Sequence, residues 1–251
     1  MAKRTMINAS AICSITDSNH RWSLNFSKRK KSKYDIKVPL TSPNYKLIQN
    51  EKNKAKLWFA KRGIVKNENY KIIFVGSFSS KNFDFECVFD AADILQENKV
   101  DCEFIFCGYG EFKNNLKKRS KKNKLIKILG TIDYTKMTVL SELSSVYIAP
   151  YKNNPDFVAS IPNKIIDAFR TGMPLLCPLK GEVKNLINNN NVGVTYTSSK
   201  SLSKNIETLI KNPSLRNQLS KNAKKLYQNK FDFYKNYNRL VKNLELMSKI
   251  K

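Results

Sequence analysis

In the stretch ASIPNKIIDAFRTGMPLL, Ala159 to Leu176, a cation stands at the start of a short helix and an acid follows three residues later. Ser160 and Pro162 are helix-start residues, and Gly172 and Pro174 are stop signals, so the spacing predicts a helix over 163–171. At 100° per residue Ile165, Ile166 and Phe169 share an apolar face, and Lys164, Asp167, Ala168 and Thr171 fall on the opposite one. The first helical turn, Asn163 and Lys164 included, presents free backbone N–H groups and a partial positive charge. Lysine is normally disfavoured at that end, and an anion that neutralises it, above all a phosphate, accounts for the choice. Asp167 stands one turn deeper, where a carboxylate can accept hydrogen bonds from ribose hydroxyls. Together these residues fit a nucleoside diphosphate lying over the helix. The competing reading is an exposed i, i+3 ion pair worth only about 0.3 kcal/mol, and the motif alone leaves the two level.

The elements that must hold this helix come from about Tyr70 onward. KIIFVGSF, EFIFCGYG, LIKILG, SSVYIAP, PLLCP and VGVTY read as short buried strands. Helical patterns separate them near 85–98, from Glu111, and near 137–144, 163–171 and 182–188, and three more close the chain near 201–211, 214–228 and 231–248. Strands apolar throughout and separated by helices imply a parallel sheet covered on both faces, so the fold class is α/β, doubly wound and Rossmann-like. The first 70 residues hold AICSIT, a basic loop, DIKVPL and a helix-like YKLIQNEKNKAKLWFAKRG, too little for a domain with its own core. The predicted organisation is a preceding remnant plus linker over 1–69, a Rossmann-like domain over 70–230 and a closing helix over 231–251.

Composition bounds the alternatives. The chain has 251 residues, 41% apolar and 26% charged, with no window near the roughly 20 apolar residues of a membrane span. No secretory signal pattern opens it, so a cytoplasmic location is expected, with peripheral contact at an anionic inner membrane face open to the basic runs Ser27–Lys33 and Lys117–Lys124. Five cysteines at irregular spacing suit reduced core thiols, and neither a metal nor a disulfide is implied. The formal charge of +26 invites a nucleic-acid reading, but the excess is lysine spread evenly rather than arginine clustered among aromatics.

The blocks IIFVGSF…AADIL, FIFCGYGEFKNNL, IKILGTIDYTKM, SVYIAPYKNNPDFVASIPNKIIDAFRTGMPLL, EVKNLINNNNVGV and NPSLRNQLSKNAKKLY resemble, in order, the carboxy-terminal, donor-binding half of a family-4 GT-B glycosyltransferase. The resemblance implies two glutamates seven residues apart around the nucleotide sugar. The second falls on Asp167 and the first on Ala159, a departure from the family pattern. It also places diphosphate-binding residues near Ser77 and Lys81, of which only the lysine matches, and a base-cradling turn at Gly130, Thr131, Asp133 and Lys136. Asp133 and Lys136 read equally well as a helix cap and an exposed charge. The implied chemistry is metal-independent, cofactor-free transfer of a sugar from a UDP- or GDP-linked donor with retained configuration. The acceptor is a glycan or lipid-linked sugar, and Lys164 and Lys81 stabilise the leaving diphosphate. The acceptor-binding half and its catalytic histidine have no counterpart here, since the sole histidine, His20, lies in the remnant. Three functions follow: a donor half that works with a separate amino-terminal-half chain or as a fragment, a non-catalytic nucleotide-binding or interaction module, and a lysine-rich nucleic-acid binder, against which the even spread of lysine argues.

Overall fold

The computed structural model describes residues 1–67 and 69–249; Ile250 and Lys251, the end of the expected closing segment, and Glu68 lie outside the described residues. In chain order the elements are α1 (Ala2–Asn8), β1 (Cys13–Ser14), α2 (Asp17–Ser27), β2 (Ile36–Lys37), α3 (Gln49–Ala60), β3 (Tyr70–Val75), α4 (Phe85–Glu97), β4 (Cys102–Cys107), α5 (Lys113–Lys122) and β5 (Ile126–Leu129). There follow α6 (Tyr134–Glu142), β6 (Val146–Ile148), α7 (Pro155–Val158), α8 (Asn163–Thr171), β7 (Leu175–Cys177), α9 (Gly181–Asn190), β8 (Gly193–Thr195), α10 (Ser199–Lys211), α11 (Pro213–Leu226), a π-helical turn (Tyr227–Phe231) and α12 (Phe233–Ser248).

Six of the strands form one parallel sheet in the order β5-β4-β3-β6-β7-β8. The chain starts in the middle at β3, runs outward through β4 and β5, then returns to β6 on the other side and runs outward again. This doubly wound order leaves a crevice outside the carboxyl ends of β3 and β6, where consecutive connections leave on opposite faces, and ligands of such sheets bind there. Pairing is in register from Tyr70↔Cys102 to Val75↔Cys107, so β3 and β4 end level.

Burial explains the strand choice. Ile72, Ile73, Phe74, Phe104, Ile105 and Phe106 are all almost fully buried, which a sheet covered on both faces requires. Phe74 packs edge-to-face on Phe83 at 5.1 Å and on Phe85 at 5.2 Å, fixing α4 over the sheet. Lys71 breaks the pattern. Although 1% exposed, it keeps its ammonium on the Asn69 carbonyl at 3.2 Å and on the Asn67 side chain at the strand's beginning.

The segment before β3 divides in two. Ala55 and Phe59 of α3, with Ile64, are buried in the main core, so this end of the expected 1–69 remnant and linker packs on the Rossmann-like body. Residues 1–40 make only the two-residue parallel pair β1-β2 with α1 and α2 around it. This small unit is docked by polar contacts: the Thr16 hydroxyl donates to the Ala159 carbonyl (2.7 Å), the Ser18 hydroxyl to Glu182 Oε1 (2.6 Å), and the Asn243 amide of α12 to the Tyr34 carbonyl (2.9 Å). In the basic run beside it the lysines are exposed, and only Arg29 is drawn in, by a 2.8 Å ion pair with the Asp35 carboxylate, whose side chain is buried. On the outer side Trp22 stacks on Phe26, both exposed, and Tyr237, Val241 and Leu244 form an exposed stripe at i, i+4, i+7 along α12. Among the described residues no helix is long and apolar enough to cross a membrane.

Candidate functional site

Lys164 and Asp167 sit at the mouth of the crevice, on α8, which spans the predicted range. Pro162 is the N-cap, and no side chain caps the helix. The Ile165 N–H turns back to the Pro162 carbonyl (3.0 Å), which leaves the Asn163 and Lys164 N–H groups to solvent or to a ligand, and Pro162 suits that end because it lacks an N–H. Gly172, in the left-handed conformation at φ 73°, ends the helix through its N–H on the Phe169 carbonyl. Ile165, Ile166 and Phe169 are fully buried, as their spacing predicts. Ala168 is buried as well, which corrects its expected place on the open face: α11 and the π-helical turn cover that side of α8.

The i, i+3 ion pair does not form, and the two residues take separate roles. Lys164 lies across the end of β3. A Cβ added to Gly76 would stand 2.3 Å from both Cε and Nζ of Lys164, so the glycine leaves the groove through which the lysine passes. Burial pushes the Lys164 ammonium below the usual lysine range, with the nearby Asp167 carboxylate pulling the other way. A partly desolvated ammonium and an uncapped helix N-terminus thus stand together at the topological switch point and concentrate positive charge there.

Asp167 has its own partners. Its Oδ1 accepts from the Ser42 hydroxyl at 2.6 Å and stands 3.7 Å from Nε of Arg170, whose side chain is almost fully buried. Arg170 in turn donates to the Tyr134 hydroxyl (2.9 Å) and lies over its ring. The linker is held along the same line: the Tyr227 hydroxyl donates to the Ser42 carbonyl (2.5 Å), and the Tyr45 N–H donates to the Tyr134 hydroxyl (2.9 Å). Among the described residues Asp167 Oδ2 has no hydrogen-bond or ion-pair partner, and the carboxylate is oriented through Oδ1.

The floor is backbone. Beyond the strand ends the Gly76 N–H donates to the Cys107 carbonyl (2.9 Å), the Phe78 N–H to the Tyr109 carbonyl (2.8 Å) and the Gly108 N–H to the Gly130 carbonyl (3.1 Å). A Cβ on Gly108 would meet the Gly76 carbonyl oxygen at 1.8 Å, so only glycine lets the two loops touch. The buried Tyr147 hydroxyl donates to the Val75 carbonyl (2.9 Å) and pins the end of β3 to β6.

The remaining expected residues are placed as follows. Ser77 is exposed directly after Gly76, and Ser160 is half-buried two residues before the N-cap. Lys81 is exposed on the loop to α4, four residues beyond Ser77. Gly130 and Thr131 are exposed beside Gly108, and a Cβ on Gly130 would meet nothing within 4 Å, so this end of the shelf is open. Asp133 caps α6 by accepting from the Lys136 N–H (2.8 Å), and its other oxygen takes the Lys136 ammonium. Both side chains are thus engaged with each other. Among the described residues no three His, Cys, Asp or Glu side chains gather as a metal site.

The sequence reading missed Gly76, Gly108, Ser42 and Arg170. The glycines carried a signal, since each directly follows an apolar strand; Ser42 carried none, being 125 residues from Asp167.

Comparison with known proteins gives the family. The model described as Glycosyl transferases group 1 matches residues 55–226. Among solved structures the chain is similar to sucrose-phosphate synthase from Thermosynechococcus elongatus, with 13% identity and a TM-score of 0.73 over 99% of this chain and 61% of that one. It is also similar to HepE from Anabaena in complex with UDP and glucose (14%, 0.72, 97% and 66%) and to a glycosyltransferase from Rickettsia africae (14%, 0.76, 99% and 67%). The chain thus spans 61% and 66% of the lengths of the first two, and these likenesses speak to the fold. No curated protein matches the sequence. With the family model spanning well over half of its residues, and with a six-stranded doubly wound sheet beneath the match, the chain belongs to the glycosyl transferases group 1 family.

Proposed function

We propose that this chain is the donor-binding half of a family-4, retaining, metal-independent glycosyltransferase. It binds a nucleoside-diphosphate sugar with the diphosphate on the N-terminus of α8 and on Lys164, the ribose on Asp167, and the base toward Gly130 and Thr131. The observation that carries the reading is the half-buried Lys164 ammonium lying across Gly76 at the switch point beside an uncapped helix. When the bond between the anomeric carbon and the diphosphate oxygen breaks, the electron pair stays on that oxygen. Lys164 and the first-turn N–H groups meet the growing charge, with Lys81 and Ser77 on the neighbouring loop completing the cradle. The acceptor, a glycan or lipid-linked sugar, then arrives from an amino-terminal half whose seat is the exposed apolar surface at Trp22, Phe26, Tyr237 and Val241. The lysines of α5 remain the face for an anionic membrane.

A second reading, a nucleotide-binding module without transfer, is favoured by Ala159. It has no carboxylate where the family pattern places one, and its carbonyl is already taken by Thr16.

Calorimetric titration of UDP, GDP and their sugars into the purified chain tests the first reading. UDP comes first because the Anabaena structure contains UDP and glucose. Binding of one nucleotide that is lost in Lys164→Ala at an unchanged thermal midpoint and weakened about tenfold in a still-folded Asp167→Ala supports the donor site. A folded chain that binds none of the nucleotides rules it out, and nucleotide binding without transfer when the amino-terminal half is supplied selects the module.

A further inference from the structure

The loop from β3 to α4 carries Ser77 and Lys81, and both of its ends are seated. On the near side the buried Phe78 is bracketed by the next loop: its N–H donates to the Tyr109 carbonyl (2.8 Å), and its carbonyl accepts from the Phe112 N–H (3.0 Å). On the far side the buried Phe83 pairs with Tyr151, their rings 4.6 Å apart, and the Asn82 carbonyl accepts from the Lys152 N–H (2.9 Å).

Between those anchors the chain turns back on itself. The Asn82 and Phe83 N–H groups both point to the Ser79 carbonyl (3.2 and 3.0 Å), which puts Ser80 and Lys81 at the tip. Lys81 is exposed, and among the described residues no carboxylate lies within 4 Å of its ammonium. Among those residues the tip has one hydrogen-bonded tie to another element: Glu111, on the loop from β4 to α5, accepts at Oε1 from the Ser80 N–H (2.8 Å) and from the Ser80 hydroxyl (3.3 Å).

Glu111 is itself well placed to hold that tie. Its neighbour Phe112 is bound to Phe78, and a Cβ on Gly110 would meet the Phe78 backbone at 2.5 Å, so the glycine lets the two loops lie flat against each other. Backbone N–H groups, its own and that of Ser80, hold the Glu111 carboxyl below the usual carboxylate range. The side chain is therefore ionised, and its bonds to Ser80 are charge-assisted. A carboxylate on the loop next to a diphosphate site weakens binding by repulsion unless what it holds in place contributes more.

We propose that Glu111 is a positioning residue for the donor diphosphate: by gripping Ser80 it sets the direction in which Lys81 leaves the tip, so that the ammonium meets the outer phosphate. The inference rests on the donor-site reading and deepens it. Without Glu111 the turn is anchored at its base alone, and the ligand has to order Lys81 at an entropic cost that lowers affinity.

UDP and UMP, and GDP and GMP, are titrated calorimetrically into the whole chain, and for the base that binds, the ratio of the two affinities isolates the outer phosphate. Wild type favours the diphosphate by about tenfold. Glu111→Ala lowers that ratio about fivefold and leaves the monophosphate affinity unchanged. Glu111→Gln, whose amide oxygen still accepts from the Ser80 N–H, keeps most of it. Lys81→Ala lowers the ratio at least as far, and adding Glu111→Ala to it changes nothing further, because the two residues act as one unit. The proposal is overturned if Glu111→Ala binds the diphosphate as tightly as wild type, or more tightly, the second outcome showing that the carboxylate only repels the ligand. It also fails if monophosphate and diphosphate weaken equally, which reports a general loosening of the shelf, if Lys81→Ala keeps the wild-type ratio, or if the losses of the double variant add. A wild-type chain that binds neither diphosphate sinks the donor-site reading and this inference with it, whereas one that binds UDP or GDP while Glu111→Ala changes nothing sinks the inference alone.

Discussion

The Ser42 hydroxyl donates to Asp167 Oδ1 at 2.6 Å, so a residue of the linker aims the carboxylate of a helix 125 positions away. Ser42→Ala removes a charge-assisted bond and lowers stability by about 1.5 kcal/mol, read from the urea midpoint. With its anchor gone Asp167 samples more orientations, and nucleotide affinity falls several-fold by calorimetry.

Asp167 bears on the sugar of the nucleotide. Wild type prefers a ribonucleotide over its 2′-deoxy analogue by about tenfold, the size of one hydrogen bond to a carboxylate. Asp167→Ala binds the two equally, so the mutation and the deoxy substitution do not add.

Burial sets the pH behaviour of Lys164. Its ammonium titrates below the ordinary lysine range, so nucleotide affinity declines as pH rises through that lowered value, before exposed lysines near about 10.4 lose their charge. The stability effect has the opposite sign. Below the folded-state pKa both states are charged and the folded one bears the full desolvation penalty; that penalty is relieved as pH rises through it toward the unfolded value. Lys164→Met therefore melts no lower than wild type at pH 7, by calorimetry, while losing nucleotide binding.

Two glycines of the shelf respond differently to the same substitution. In Gly76→Ala the new methyl meets only the flexible Lys164 chain, which moves aside, so binding weakens and the stability cost is confined to the backbone strain of a side chain at φ 156°. In Gly108→Ala it meets the Gly76 carbonyl at 1.8 Å, at a position with φ 148°, so the loops must separate and stability drops by more than about 2 kcal/mol. Thermal melts and titrations of the two variants separate the effects.

How much of this was legible in the sequence depended on whether neighbours in the chain were neighbours in space. Helix 163–171 was marked at both ends by its own residues, and the six strands were marked by short apolar runs between helical patterns, so the doubly wound class followed while the order of the strands in the sheet did not. Ala168 escaped because its burial depends on α11 and the π-helical turn, which a helical wheel does not contain. The spacing of Lys164 and Asp167 equally allowed an ion pair; only Gly76, 88 positions away in sequence, and Ser42 show that they part.

The exposed Trp22–Phe26 stack and the stripe of Tyr237, Val241 and Leu244 share their surface with a formal charge of +26. In dilute buffer mutual repulsion keeps separate molecules apart and hides that stickiness. Added salt shortens the reach of the repulsion from about 10 Å at 0.1 M to about 3 Å at 1 M and leaves apolar attraction in place. The chain purified alone therefore behaves as a salting-out colloid: its light-scattering interaction coefficient changes from repulsive to attractive as ionic strength rises.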